Sequence, residues 1–340
     1  MKTTQVAVDL AKSVFQVAVS NTPGRIDEER RLSRARFQRF FTEREPVEVL
    51  MEACGTAHYW GRELEALGHT VSLLPPADVR RYRDGNRTDR ADAKALLEAA
   101  RNEAIDAVPV KTIEQQTITA LHRLRSGYLQ TRTARINAVR GLLREFGITI
   151  PVGARHLVPR VRADIADGVV PTDLEPVLEE AVSEIEELKR KAQGIERRLR
   201  GLVRHMPEAQ VLMSVPGIGV LTATALVAYV GDVRRFRSGR HFAAYLGLTP
   251  REHSSGLSRR MGRITKHGNR YLRMLLIHGA RSVLRAAKLT DKPDGLRTWA
   301  LGIAARSGYN TAAVALANKI ARIAWRRWRD GRAFEVRPTA

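Results

Sequence analysis

Residues 5–21, QVAVDLAKSVFQVAVSN, set β-branched and aliphatic side chains on both sides of a short polar break, with Asp9 where the first run ends. Such residues fit a pleated, half-buried surface, so the stretch predicts two paired strands with an acid at the tip of the first. Working outward, VEVLMEACG (47–55) repeats the theme as a short buried strand ending at Glu52. AHYWGRELEALG (57–68) then spaces Tyr59, Leu64 and Leu67 as a helix closed by Gly68. HTVSLLPP (69–76) reads as a strand stopped by Pro75 and Pro76, and a polar loop, RYRDGNRT, leads into a helix that starts near Asp89. Strands alternating with helices predict an α/β domain. Asp9 and Glu52 both stand where strands run out, which is where open α/β sheets place ligand sites.

Residues 112–146 predict a long helix with Ile113, Ile118, Leu121, Leu124, Leu129, Ile136, Val139 and Leu143 apolar. Its polar face carries Arg123, Arg125, Arg132, Arg135, Arg140 and Arg144 and is strongly cationic. Residues 174–206 space Leu174, Leu178, Ile185, Leu188, Ile195, Leu199 and Leu202 at threes, fours and sevens, the pattern of a coiled-coil helix, with acids first and bases last as the helix dipole favours. The Pro- and Gly-containing stretch 147–171 between them reads as a loop and the best domain boundary. The expected organisation is a catalytic α/β domain over 1–150, a linker and coiled-coil segment over 151–205, and a mainly helical domain over 206–340.

The 58 Lys and Arg against 36 Asp and Glu leave a formal charge of +22, of the sign that attracts phosphate backbones. No apolar stretch approaches the roughly 18 residues needed to span a bilayer, and the N-terminus does not read as a signal peptide, so a cytoplasmic protein is expected. The lone Cys54 excludes an internal disulfide and a thiolate metal site.

The charge concentrates late in the chain. Between residues 234 and 285 lie thirteen Lys and Arg against Glu252 alone. Ahead of them, Pro216-Gly217-Ile218-Gly219 resembles the turn of a helix-hairpin-helix, whose glycines let backbone N–H groups approach a phosphate. Arg251, Arg259, Arg260, Arg263, Lys266, Asn269 and Arg270 are the accompanying candidates for backbone contacts. The remaining question is why so basic a chain places two acids on one helical face in RTDRADAKAL (87–96). Residues three apart on a helix lie about 5–6 Å from each other, so Asp89 and Asp92 can aim at one centre, and the strand-end acids can meet them there. Four converging carboxylates repel one another unless divalent cations sit between them, and paired Mg²⁺ ions are a standard device of phosphodiester chemistry.

VAVDLAKSVFQVAV, MEACGTAHYW and RTDRADAKAL resemble the three acidic motifs of the DEDD transposases of the insertion sequence 110 family, including its 1111 subgroup and the related Piv-type DNA invertases. VPGIG, the stretch from FRSGRHFAAYLGLTPREHSSG to RYLRMLL, and TAAVALANKIARIAW resemble that family's second domain. The resemblance spans nearly the whole chain. It implies a RuvC-like, ribonuclease-H-type domain carrying Asp9, Glu52, Asp89 and Asp92, a coiled-coil segment, and a transposase domain with a serine nucleophile. It also implies recombination of DNA, Mg²⁺ (or Mn²⁺) as cofactor, a structured bridge RNA as guide, and a homo-oligomer. In REHSSGLSRR (251–260), Ser255 beside Gly256 is the favoured nucleophile, with Ser254 as the alternative. Two other readings stand beside this one. A structure-specific nuclease using water would leave the Ser-Ser-Gly turn without a role, and a non-catalytic nucleic-acid-binding protein would leave the four acids without one.

Overall fold

The computed structural model describes residues 4–23, 25–83, 88–256 and 258–335, the side chain of Asp89 excepted. Packing divides the chain into two units, Met1–Gln116 and Thr117–Ala340.

The first unit runs β1 (Gln5–Leu10), β2 (Val14–Ser20), β3 (Glu28–Ser33), α1 (Arg34–Thr42), β4 (Glu48–Glu52), α2 (Ala57–Ala66), β5 (Thr70–Leu74), α3 (Pro76–Val79) and α4 (Asp89–Ala100). Its five strands form one sheet in the order β3-β2-β1-β4-β5. β2 pairs antiparallel with both β1 and β3, whereas β4 runs parallel to β1 and β5. The paired strands expected over 5–21 are thus present, and both strand-end acids lie on central strands. The charged EERRLS of β3 has no apolar alternation and was not anticipated as a strand. It is an edge strand whose charges face solvent while Leu32 alone turns inward.

The alternation of side chains separates two cores. Val6, Val8, Val17, Val49 and Met51 face α1 and α2, joining Phe15, Phe37, Phe41, Trp60 and Leu64. The rings meet edge to face, with Phe15–Phe37 centroids 4.7 Å apart and Phe37–Trp60 4.9 Å, contacts worth about 0.5–1.5 kcal/mol per pair beyond area burial. Ala7, Ala18, Leu50 and Leu74 face the other way, against Ala93, Leu96 and Leu97 of α4. In α2 the buried residues are Ala57, Trp60, Gly61 and Leu64, so the face expected from Tyr59 and Leu67 is corrected: both are exposed.

The second unit takes in most of α5 (Ile113–Glu145), then α6 (Ala154–Ala166), α7 (Glu175–Val203), α8 (Pro207–Met213), α9 (Val220–Val230) and α10 (Gly239–Tyr245). A short hairpin of β6 (Pro250–Glu252) and β7 (Met261–Ile264) follows, then α11 (Arg270–Ala287), α12 (Gly295–Ser307) and α13 (Tyr309–Asp330). The stretch read as a loop boundary contains α6, whose Leu157 and Val161 are fully buried with Ile136, Val139 and Leu143 of α5 and Leu178, Val182 and Ile185 of α7. Its interior Pro159 hid that helix from a sequence reading. Because these three helices share one core, the packing units do not coincide with the segments 1–150, 151–205 and 206–340.

The heptad face of α7 is buried nearly as its spacing predicts, Leu202 being half-buried, and it packs within this chain against α5 and α6 in its first half and in the core with α8 and α9 in its second. Arg125 Nε donates to Glu196 Oε1 at 2.7 Å, and Arg135 pairs with Glu184, so α5 and α7 run antiparallel and part of α5's cationic face is neutralised. Arg140 instead donates to the carbonyls of Pro151 and Gly153. None of the described helices is long and apolar enough to cross a membrane.

Candidate functional site

The acids are positioned by strand register and helix packing. The parallel β1–β4 ladder pairs Val8 with Met51, and Asp9 and Glu52 lie one residue further along. Period-two alternation puts them on the side of Ala7 and Leu50, the face that α4 covers. Helix α4 begins at Asp89 because Thr88 caps it, its hydroxyl accepting from Ala91 N at 3.2 Å. Asp92 therefore falls in the first turn, beside the ends of β1 and β4.

What gathers there is a cation that sequence reasoning missed. Arg83 Nη2 donates to Glu52 Oε2 at 3.4 Å, and Arg83 Nε pairs with Asp92 Oδ1. All three side chains are only 20–26% exposed, so the pairing is far less screened than a surface bridge. Asp9 is half-buried opposite Gln16 of β2. The side chain of Asp89, the fourth expected ligand, lies outside the described residues. Among the described residues no group of three or more His, Cys, Asp or Glu is assembled for a metal. The donor set nevertheless suits one: carboxylate oxygens at the ends of β1 and β4 and the start of α4 are hard ligands of the kind Mg²⁺ and Mn²⁺ prefer, and Arg83 places a positive charge between two of them.

In the second unit the Ser-Ser-Gly turn is the tip of the β6–β7 hairpin. Ser255 and Ser258 exchange backbone hydrogen bonds at 3.1 Å, and Gly256 adopts a left-handed φ of 54°. Ser254 Oγ donates to Glu252 Oε1 at 2.7 Å and accepts from Arg260 N at 3.2 Å, while Ser255 is exposed at the tip. Arg259 pairs with Glu252 at 3.3 Å. His253 lies along the hairpin against Gly262.

The expected phosphate contacts divide into two groups. Arg251, Arg259, Arg260, Arg263, Lys266 and Arg270 are exposed and free of burial constraints. Asn269 is the N-cap of α11, its Oδ1 accepting from Tyr271 N at 2.8 Å and Leu272 N at 3.1 Å, so its side chain is occupied within the fold. Arg273, one of the thirteen cations, is buried and donates to the carbonyls of Leu246 and His267. Gly217 and Gly219 join α8 to α9, but they differ. A Cβ on Gly217 would come within 2.9 Å of Gly279 O in α11, and one on Gly279 would come within 1.9 Å of Gly217 O. Gly217, at φ 86°, is thus needed for a close backbone approach inside the protein, whereas Gly219 is exposed with open space around it.

Behind this surface, fully buried His122 of α5 ties together three helices. Its Nδ1 lies 2.9 Å from Tyr271 Oη and its Nε2 3.0 Å from Thr224 Oγ1. Thr224 donates to Val220 O at 2.7 Å, so the network assigns Nε2–H donating to Thr224 and Nδ1 accepting from Tyr271. Burial, helped by the Arg125 charge, lowers the His122 pKa to about 4, consistent with that neutral form.

A mixed α/β sheet followed by a mainly helical region is consistent with a DEDD transposase. The family model described as "Transposase IS116/IS110/IS902 family" matches residues 209–293, and the IS110-type DEDD model, described as "Transposase", matches residues 6–148. The chain is 43% identical over 328 residues to a "probable family 20 transposase" of Pseudomonas aeruginosa, covering 96% of each protein. It is 38% identical to the transposase for insertion sequence element IS1111A of Coxiella burnetii, over 94% of this chain and 87% of that one. A 50-residue stretch is 46% identical to the pilin gene-inverting protein of Moraxella lacunata, 15% of this chain and 16% of that one. The protein belongs to the IS116/IS110/IS902 family of transposases.

Proposed function

We propose that this transposase cuts and rejoins DNA with a RuvC-like sheet on which Asp9, Glu52, Asp89 and Asp92 hold divalent metal, and with Ser255 as nucleophile. The observation that carries the reading is the bridging of Glu52 and Asp92 by one guanidinium, which supports the end of β4 and the start of α4 as a place where positive charge is held. The sheet supports it too, since an order of β3-β2-β1-β4-β5 with β2 antiparallel brings Asp9 and Glu52 side by side on central strands. DEDD transposases are in general metal-dependent. Mg²⁺ is the proposed ion, with Mn²⁺ as the alternative. Bound there, it would neutralise charge on a reacting phosphate.

The chain's own contribution is positioning. Ser254 and Ser255 are both exposed near the hairpin tip, but Ser254 Oγ is engaged by Glu252 and Arg260, which favours Ser255. Arg259 and Arg260 flank the tip and are the proposed holders of the scissile phosphate. Attack by Ser255 Oγ on phosphorus forms a serine–DNA phosphodiester and breaks the phosphorus–oxygen bond to the leaving strand, the serine hydroxyl giving up its proton and the leaving oxygen taking one up. The ester keeps the bond energy, so a strand hydroxyl can reverse the step and rejoin DNA. The proposed partners are the DNA of element ends and target, a structured guide RNA and further copies of the chain, acting in the cytoplasm. Since the heptad face of α7 is filled within one chain, by α5 and α6 along its first half and in the core with α8 and α9 along its second, copies would associate through other surfaces.

The test is cleavage of supercoiled DNA carrying the element's ends, in Mg²⁺, followed on denaturing gels. Glu52→Gln and Asp92→Asn should retain DNA yet lose cleavage by at least about a hundredfold. Full activity in Asp92→Asn overturns the acidic site. Cleavage without any protein–DNA adduct overturns the serine step in favour of hydrolysis.

A further inference from the structure

Within the second unit, a groove of 1310 Å³ runs between the β6–β7 hairpin and helices α11, α12 and α13. Its floor is apolar, with Leu248, Ile277, Val314 and Ala315. Its rim carries Arg263, Lys266, Arg281, Lys319 and Arg322, and among the described residues no acid lines it. One wall is Trp299, which is 37% exposed, while Trp60, Trp325 and Trp328 are all at or below 8%. Lys319 Nζ lies 4.0 Å from the centroid of that indole. Burial, and after it the neighbouring Arg322 charge, lowers the Lys319 pKa. Lys266 holds a left-handed φ of 58° at the groove edge, an uncommon backbone for a residue with a side chain.

We propose that this groove binds unpaired single-stranded DNA, stacking a base on Trp299 and neutralising the adjoining phosphates with the cationic rim. The combination selects the occupant. Five cations without an acid call for an anion, and an exposed indole beside an apolar floor calls for flat, apolar faces. A duplex supplies phosphates but hides its base faces in the stack, so it would use the rim and leave the floor uncovered. An apolar peptide would cover the floor and leave the rim unmatched. The volume exceeds the roughly 300–1,000 Å³ of ordinary small-molecule sites, which leaves room for more than one nucleotide. Asn310 and Thr311 add polar groups at the edge that can reach base or sugar atoms. The strand is assigned as DNA because the family acts on DNA. Breaking and rejoining strands exposes unpaired bases, and the groove would keep them from re-pairing.

The inference rests on the DNA-directed reading of the chain but needs neither the acids nor Ser255, so it is tested in EDTA. Full-length protein is titrated with short oligo(dT), with a duplex and with oligo(rU), following tryptophan emission and affinity. Oligo(dT) should quench a component of emission that Trp299→Phe lacks. Trp299→Ala should bind oligo(dT) about tenfold more weakly with unchanged duplex affinity. Arg322→Gln, at an exposed rim position, should reduce the log–log salt slope for oligo(dT) by about 0.7. Unchanged oligo(dT) affinity in a Trp299→Ala protein with native circular dichroism overturns the proposal, as does an equal loss on duplex. Stronger binding and quenching by oligo(rU) than by oligo(dT) overturns the assignment to DNA. Failed cleavage with the quench intact overturns the catalytic reading and leaves the groove supported.

Discussion

Arg83 Nη2 stands 3.4 Å from Glu52 Oε2, and the same guanidinium pairs through Nε with Asp92. One cation therefore ties the end of a strand to the first turn of a helix. A divalent ion drawn to those carboxylates must compete with it. Arg83→Gln should lower thermal stability in EDTA, because two half-buried carboxylates lose their partner, and should bind Mg²⁺ more tightly than the parent protein. The measurement is the Mg²⁺-dependent rise in Tm, larger in Arg83→Gln and smaller in Asp92→Asn. An identical Mg²⁺ response in all three proteins would place the metal elsewhere.

The backbone contact between Gly217 and Gly279 separates two roles for the glycine turn. Gly279→Ala would drive a methyl group to 1.9 Å from Gly217 O and should destabilise by about 3 kcal/mol, read by urea denaturation. Gly219→Ala has open space and a φ of −98°, so it should fold normally. If Gly219 supplies a backbone contact to phosphate, its alanine variant weakens DNA binding with no change in Tm. A Gly219→Ala protein that binds normally removes that glycine from the interface.

His122 predicts the acid side of the stability profile. Its folded pKa of about 4 lies below the unfolded value of 6.5, so the unfolded chain binds more protons between those values. The stability due to a neutral His122 is present above about pH 6.5 and is lost as pH falls towards 4. The loss is on the order of 3 kcal/mol. Chemical denaturation across that window should show it, and His122→Asn should flatten that part of the curve. A parent profile as flat as the variant's would contradict the neutral network.

The hairpin predicts how the two serines differ. Ser255→Ala should bind DNA and fold as the parent does while forming no covalent protein–DNA adduct. Ser254→Ala loses two hydrogen bonds within the hairpin, so it should reduce adduct formation without abolishing it. The reverse pattern moves the nucleophile by one residue, and adduct formation by both variants refutes a serine mechanism at this turn.

The exposed cations make binding salt-dependent. Substituting Arg259, Arg260, Arg263 and Lys266 together should flatten the log–log slope of affinity against salt by up to about 0.7–0.9 for each phosphate no longer neutralised. An unchanged slope would shift the surface to the arginine face of α5 over residues 123–144.

The sequence alone determined the elements whose periodicity is local: β1, β2, β4 and β5, the acids that close β1 and β4, the helix after Thr88, and the long helices α5 and α7. Side-chain periodicity states most of the face of an element that is buried, although Ile113 and Leu124 of α5 are exposed and the buried set there includes Thr119 and His122. It does not state what covers the face. Only the tertiary structure decided that charged β3 pairs as an edge strand, that α6 forms around Pro159 because α5 and α7 enclose Leu157 and Val161, and that the heptad face of α7 is satisfied within one chain. The same holds for single residues. Asn269, Arg273 and Gly217 carry residue types suited to phosphate, yet a helix start, two carbonyls and a facing glycine hold them. Arg83 and Trp299 carried no local signal, because a guanidinium bridging two acids and an indole walling a groove exist only once segments distant in sequence have packed together.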